Sequence, residues 1–129
     1  MFLLDTNICI GLLKGHAALA DRLRRLSPRE VAVCSVVVAE LLYGARKSQR
    51  VAENVVTLRR FLAPLRSLPF DDRAADEYGS VRADLERSGT PIGSHDLMIA
   101  SIARAHDCIL VSRDSRAFSR IVGLRWETW

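Results

Sequence analysis

Apolar residues fall along this chain in two rhythms. Short, mainly apolar runs stand at 2–4 ("FLL"), 31–34 ("VAVC") and 109–112 ("ILVS", its last residue polar), with weaker, mixed ones at 67–68 and 124–126. Runs this short, bounded by polar or turn-forming residues, predict strands. Between them apolar residues return every three or four positions, which predicts helices over 7–13, 17–26, 36–47, 52–63, 73–87 and 96–105. End signals sharpen several of these: Ser35 ahead of "VVVAELLYGA", Asp71 and Asp72 ahead of a helix that stops at Gly89, and Pro28 closing the second helix.

Strands alternating with helices predict an α/β fold, a mainly parallel sheet covered by helices on both faces. The turn signals punctuate one continuous pattern, without repeats or low-complexity linkers, so residues 1–129 are expected to form a single domain. No apolar stretch reaches the length of a bilayer span. The opening "MFLLDTN" is too short and lacks the basic leader of a targeting segment, which leaves it as a buried strand. Cys9, Cys34 and Cys108 lie in apolar contexts without CxxC spacing and read as reduced core thiols of a cytoplasmic protein.

In a parallel α/β sheet, ligands bind beyond the carboxyl ends of the strands, and four acids fall at such places. Asp5 ends the first strand, where it either caps the following helix or faces a ligand. Glu40 lies in "VVVAELLYGA", whose neighbours at helical spacing are Val36, Val37, Tyr43 and Gly44. A carboxylate on a helix apolar nearly all round must be hydrogen-bonded, paired with a base such as Arg46, or bound to a cation. Asp96 stands in the first turn of an apolar helix, which the helix dipole alone favours. Asp114 follows the strand "CILVS", where ordinary turn chemistry also places Asp. Their shared position on one side of the sheet favours a common role.

Several ionised acids in one pocket repel each other unless a multivalent cation neutralises them, and hard oxygen donors select Mg2+ or Mn2+ over zinc. Such a site supports metal-assisted hydrolysis of a phosphodiester. Charge points to the same substrate class. Residues 1–66 carry 11 basic and 5 acidic side chains, a net +6, and residues 67–129 carry 8 and 10, a net −2; all the basic residues but Lys14 and Lys47 are Arg. The guanidinium fork suits phosphate. Solvated helix faces account for the same charges equally well.

The blocks "MFLLDTNICI", "SVVVAELLYGARKS" and "PIGSHDLMIASIARAHDCILVSRDSRAF" carry their acids in the order and context of a PIN-domain ribonuclease. Taken together the chain resembles a VapC-type toxin of a bacterial toxin–antitoxin pair. The resemblance implies a PIN-like three-layer sandwich and a metal centre of Asp5, Glu40 and Asp96, with Asp114 in the more variable fourth place. It implies that Thr6, Asn7 and Ser112 brace the site. Relatives often carry a further acid three residues after the fourth; here that residue is Ala117. The resemblance further implies a homodimer, a VapB-type antitoxin whose tail covers the acidic pocket, and endonucleolytic cleavage of RNA. The RNA expected is tRNA at its anticodon stem-loop, cut to leave a 5′-phosphate and a 3′-hydroxyl.

Arg46, Lys47 and Arg50, just beyond Glu40, are candidate phosphate contacts, although the apolar residues of that helix equally suit a protein partner. His95 reads as a first-turn residue without chemistry, His16 and His106 as surface residues, and Trp126 and Trp129 as packing that pins the C-terminus. The competing reading is a non-catalytic RNA- or partner-binding module, against which the retention of four mutually repelling acids argues. An acid-nucleophile phosphatase is disfavoured because Asn7, not Asp, stands two residues after Asp5.

Overall fold

The computed structural model describes residues 1–129 apart from the side chain of Ser115. Five strands, β1 (Phe2–Leu4), β2 (Val31–Cys34), β3 (Arg66–Leu68), β4 (Ile109–Val111) and β5 (Arg125–Glu127), form one sheet in the order β3-β2-β1-β4-β5. Every pairing is parallel. The helices are α1 (Thr6–Leu13), α2 (Ala17–Arg24), α3 (Ser35–Arg46), α4 (Val51–Leu62), α5 (Asp72–Arg87), α6 (Ser94–Ala105) and the short α7 (Ser115–Phe118).

From β1 the chain steps outward to β2 and β3, then crosses back to β4 and β5 on the other side. Right-handed crossovers therefore put α1–α4 on one face of the sheet and α5–α7 on the other. The packing agrees: α3 lies against α4, α1 against α2 and α3, and α5 against α6. The strand order reverses between β1 and β4, and the loops leaving their carboxyl ends part there. This is the switch point at which α/β sheets open a crevice.

Both faces being covered, the central strands carry apolar residues at every position. Leu3, Leu4, Val31–Cys34, Leu110 and Val111 are buried, with Ile8, Val37, Leu97, Ile99 and Ile102 packed on them from the helices. The three cysteines are free and buried. Burial pushes all three thiols up, that of Cys34 to about 11.

Four local features depart from the pattern read in the chain. Pro28 does not close α2, which ends at Arg24; it opens a 3₁₀ turn, Pro28–Glu30, capped by Ser27 and Glu30 in a reciprocal box. Ser35 is the first helical residue of α3, and its hydroxyl accepts from the Phe70 amide (3.3 Å) instead of capping. α3 is also not enclosed all round: Val37, Leu41 and Ala45 are buried, but Ala39 is exposed and Tyr43 is 66% exposed. His106 is only partly at the surface, for its Nε2 is buried without a partner among the described residues.

Candidate active site

Asp5 leaves the central strand and is 7% exposed. Its amide donates to Val111 O across β4 (3.1 Å), and its Oδ1 accepts from the Ile8 amide (2.9 Å), so it caps α1 while facing the switch point. Burial raises its pKa, partly offset by the Ser112 hydroxyl and the Ile8 amide; Asp114 and Glu40 raise it further. Ser112 is fully buried and links two of the acids, since its Oγ also accepts from the Asp114 amide (3.0 Å). Asp114 is held in its turn by the Arg116 amide, which donates to Oδ1 (3.2 Å).

Asp96 sits in the first turn of α6, where Gly93 serves as cap without a side chain and leaves the helix end open. Its pKa is raised by burial first, then by Asp114, Asp5 and Glu40, while His95 lowers it. The four acids named from the chain are thus brought within electrostatic reach of one another at one end of the sheet.

Glu40 projects from the middle of α3 and is held by groups other than the Arg46 considered from sequence. Thr6 Oγ1 donates to its Oε2, and His95 Nδ1 stands 2.5 Å from its Oε1. Two clefts share Glu40 as a wall. One of about 440 Å3 runs between α1, α3 and α4 past Ile10, Leu13, Leu41 and Leu58. The other, about 370 Å3, lies between α3 and α6 beside Val36, Ala39, Tyr43 and Met98.

A profile of PIN domains matches residues 2–124. The chain is 40% identical to the tRNA(fMet)-specific endonuclease VapC of Shigella flexneri over 128 residues, 99% of this chain and 97% of that one. The chain belongs to the VapC family of PIN-domain ribonucleases. Solved structures of the family share its backbone. VapBC2 from Rickettsia felis bound to a promoter DNA fragment matches with a TM-score of 0.93 at 36% identity, covering 99% of this chain and 98% of that one. DNA-bound VapBC from Salmonella typhimurium matches with 0.93 at 37%, covering 99% and 97%.

The VapC family resemblance raises a divalent cation, and the donor set suits one: four carboxylates, all-oxygen, whose strongest mutual influence is repulsion. Among the described residues, no three acidic, histidine or cysteine side chains are gathered closely enough to enclose an ion as they stand.

Other residues singled out from sequence fall as follows. Asn7 is exposed at the second position of α1 and makes no side-chain hydrogen bond among the described residues. Lys47 lies over the Tyr43 ring (4.9 Å) and Arg50 pairs with Glu53 (3.6 Å), while Arg46 is exposed on the last turn of α3. Trp129 packs edge-on against Phe2 (centroids 5.7 Å apart) and donates to Glu127 (2.7 Å), and Trp126 pairs with Leu110 in the sheet, so both tryptophans pin the C-terminus. His16 caps α2 and its Nε2 meets Arg113 (2.8 Å), beside Asp114. His95, read from the chain as a first-turn residue without chemistry despite its adjacency to Asp96, does touch the site, through a contact with Glu40 that joins residues 55 positions apart.

Proposed function

We propose that this chain is a metal-dependent endoribonuclease, the toxin of a toxin–antitoxin pair, acting on tRNA. The observation that carries the reading is the convergence of Asp5, Glu40, Asp96 and Asp114 at the switch point of a VapC-family sheet. Acids that raise one another's pKa destabilise the fold they sit in, and binding a cation is the use that offsets this cost. Asp5, Glu40 and Asp96 would hold Mg2+ or Mn2+, with Asp114 in support. When bound, such an ion supplies Lewis-acid stabilisation of phosphate charge and a more acidic water.

The chain's own residues do the rest. Ser112 and the Ile8 amide offset part of the burial that raises the Asp5 pKa, and Thr6 holds Glu40 in place, whereas Asn7, read from the resemblance as a bracing residue, makes no side-chain hydrogen bond to the site among the described residues. Arg46 at the end of α3 and Lys47 just after it, beyond Glu40, are the candidates for contact with phosphates flanking the scissile bond, and Arg50 follows them. The tRNA assignment rests on similarity to the tRNA(fMet)-specific endonuclease, and the anticodon stem-loop on the family resemblance.

The family's VapBC assemblies support a VapB-type antitoxin as partner. An antitoxin tail that covers the acids has the apolar 440 Å3 cleft to lie in, since Glu40 lines it. A homodimer and a cytoplasmic location complete the reading; among the described residues, no helix is long and apolar enough to cross a membrane.

The test is incubation of antitoxin-free protein with total bacterial RNA, with and without Mg2+, beside Asp96→Asn, followed by sequencing of new 5′ ends. Discrete Mg2+-dependent cuts within tRNA, absent from the variant, are expected. Intact RNA in every arm from folded protein would favour the binding-module reading.

A further inference from the structure

Glu40 is gripped by side chains at both carboxylate oxygens, and the two grips differ in kind. Thr6 opens α1 immediately after the strand-held Asp5, so its hydroxyl is carried on fixed backbone. His95 is the second residue of α6 and its side chain is 65% exposed, against 25% for Glu40. Little packing restrains the imidazole. Exposed pairs of this kind are weak, and water replaces either member at small cost. The contact needs only an Nδ1–H, which the neutral δ tautomer and the imidazolium both supply, so it does not depend on the charge of His95.

Glu40 also lies within electrostatic reach of Asp5 and Asp96, which feel Asp114 as well, a field that a cation would relieve. Oε2 is committed to Thr6. Oε1 is the atom whose partner can be exchanged.

We infer that His95 is a positioning residue that holds Glu40 Oε1 and must give it up when a divalent cation enters, so that imidazole and ion compete for one oxygen while Thr6 keeps the other. This rests on the reading of Asp5, Glu40 and Asp96 as the cation's ligands. His95 thereby sets how readily the site fills: it holds a carboxylate that lies in the field of like charges, and it weakens ion binding by the strength of that contact. Once displaced, the imidazole stands at the mouth of the 370 Å3 cleft it already lines.

The test is Mn2+ titration of the full chain by calorimetry, comparing wild type with His95→Phe, which keeps a ring without the donor, and His95→Gln, whose amide still donates. His95→Phe is expected to bind Mn2+ about three- to tenfold tighter, the scale of losing one partly exposed charge-assisted hydrogen bond, and His95→Gln to restore wild-type affinity. In wild type, Mg2+ should also move the His95 imidazole 15N and 1H resonances, with a midpoint matching ion binding; in Glu40→Gln it should not. Unchanged or weaker Mn2+ binding by His95→Phe overturns the inference. Mn2+ binding by wild type that Asp96→Asn leaves intact overturns instead the reading beneath it.

Discussion

Burial pushes the Asp96 carboxyl above its ordinary 3.8, the charges of Asp114, Asp5 and Glu40 push it further, and His95 only eases it. A carboxyl whose pKa is higher in the folded chain binds its proton more tightly there. The folded state is then favoured while the group is protonated, and that advantage is lost as pH rises from 3.8 through the raised value. At neutral pH Asp96 therefore opposes folding. Asp96→Asn is expected to raise the urea midpoint of the chelator-treated protein at pH 7, with the difference shrinking toward pH 4. On the proposed reading of Asp96 as a ligand of the cation, the same variant should cut RNA at least about a hundredfold more slowly, since several kcal/mol of charge stabilisation would depend on it. Greater stability with lost activity is the signature of a residue kept for chemistry. The cysteines are the opposite case. Burial raises their pKa values, so they should resist a thiol reagent at pH 8 in the native chain and all three should react once it is unfolded.

Among the elements, α5 shows how far local chemistry carries. Asp71 caps it by accepting from the Ala74 amide (3.0 Å). At the other end Gly89 takes a left-handed φ of 68° so that the Thr90 amide reaches Leu85 O (2.9 Å). Asp71→Ala is expected to cost about 1 kcal/mol, read as a lower urea midpoint with an unchanged m-value. Both ends were legible in the chain because a cap is a contact between residues three to five apart. So were β1, β2 and β4, whose apolar runs end in an acid or an N-terminal helix signal. Ser35 shows the limit. Its type marks a helix start, but whether it caps or turns outward is decided by Phe70, which packing brings alongside. α3 shows another, since its apolar residues predict burial on every side while the fold leaves Ala39 and Tyr43 open. The hold of His95 on Glu40 belongs to the same class. Periodicity reports which face an element offers to a core, and it is silent on which residue of a distant helix arrives opposite.

Over the whole molecule, the excess of positive charge in residues 1–66 predicts that RNA binding is dominated by phosphate contacts. With Ca2+ in place of Mg2+ to slow cleavage, the logarithm of affinity for a tRNA should fall linearly with the logarithm of salt concentration. Arg46→Ala should weaken binding across sequences and reduce that slope by about 1 if its guanidinium meets one phosphate. An unchanged slope would move the RNA path off α3. The arrangement of strands has a consequence of another kind. β1 is made long before its partner on one side, β4: Met1 O waits for the Ile109 amide and the Asp5 amide for Val111 O. On the ribosome, which adds about 5–20 residues per second, Asp5 stays without its native anchor until residue 111 has cleared the exit tunnel. The acidic centre is therefore assembled only after β4 has been made, and a product truncated before β4 holds three of the four acids without the strand that anchors Asp5.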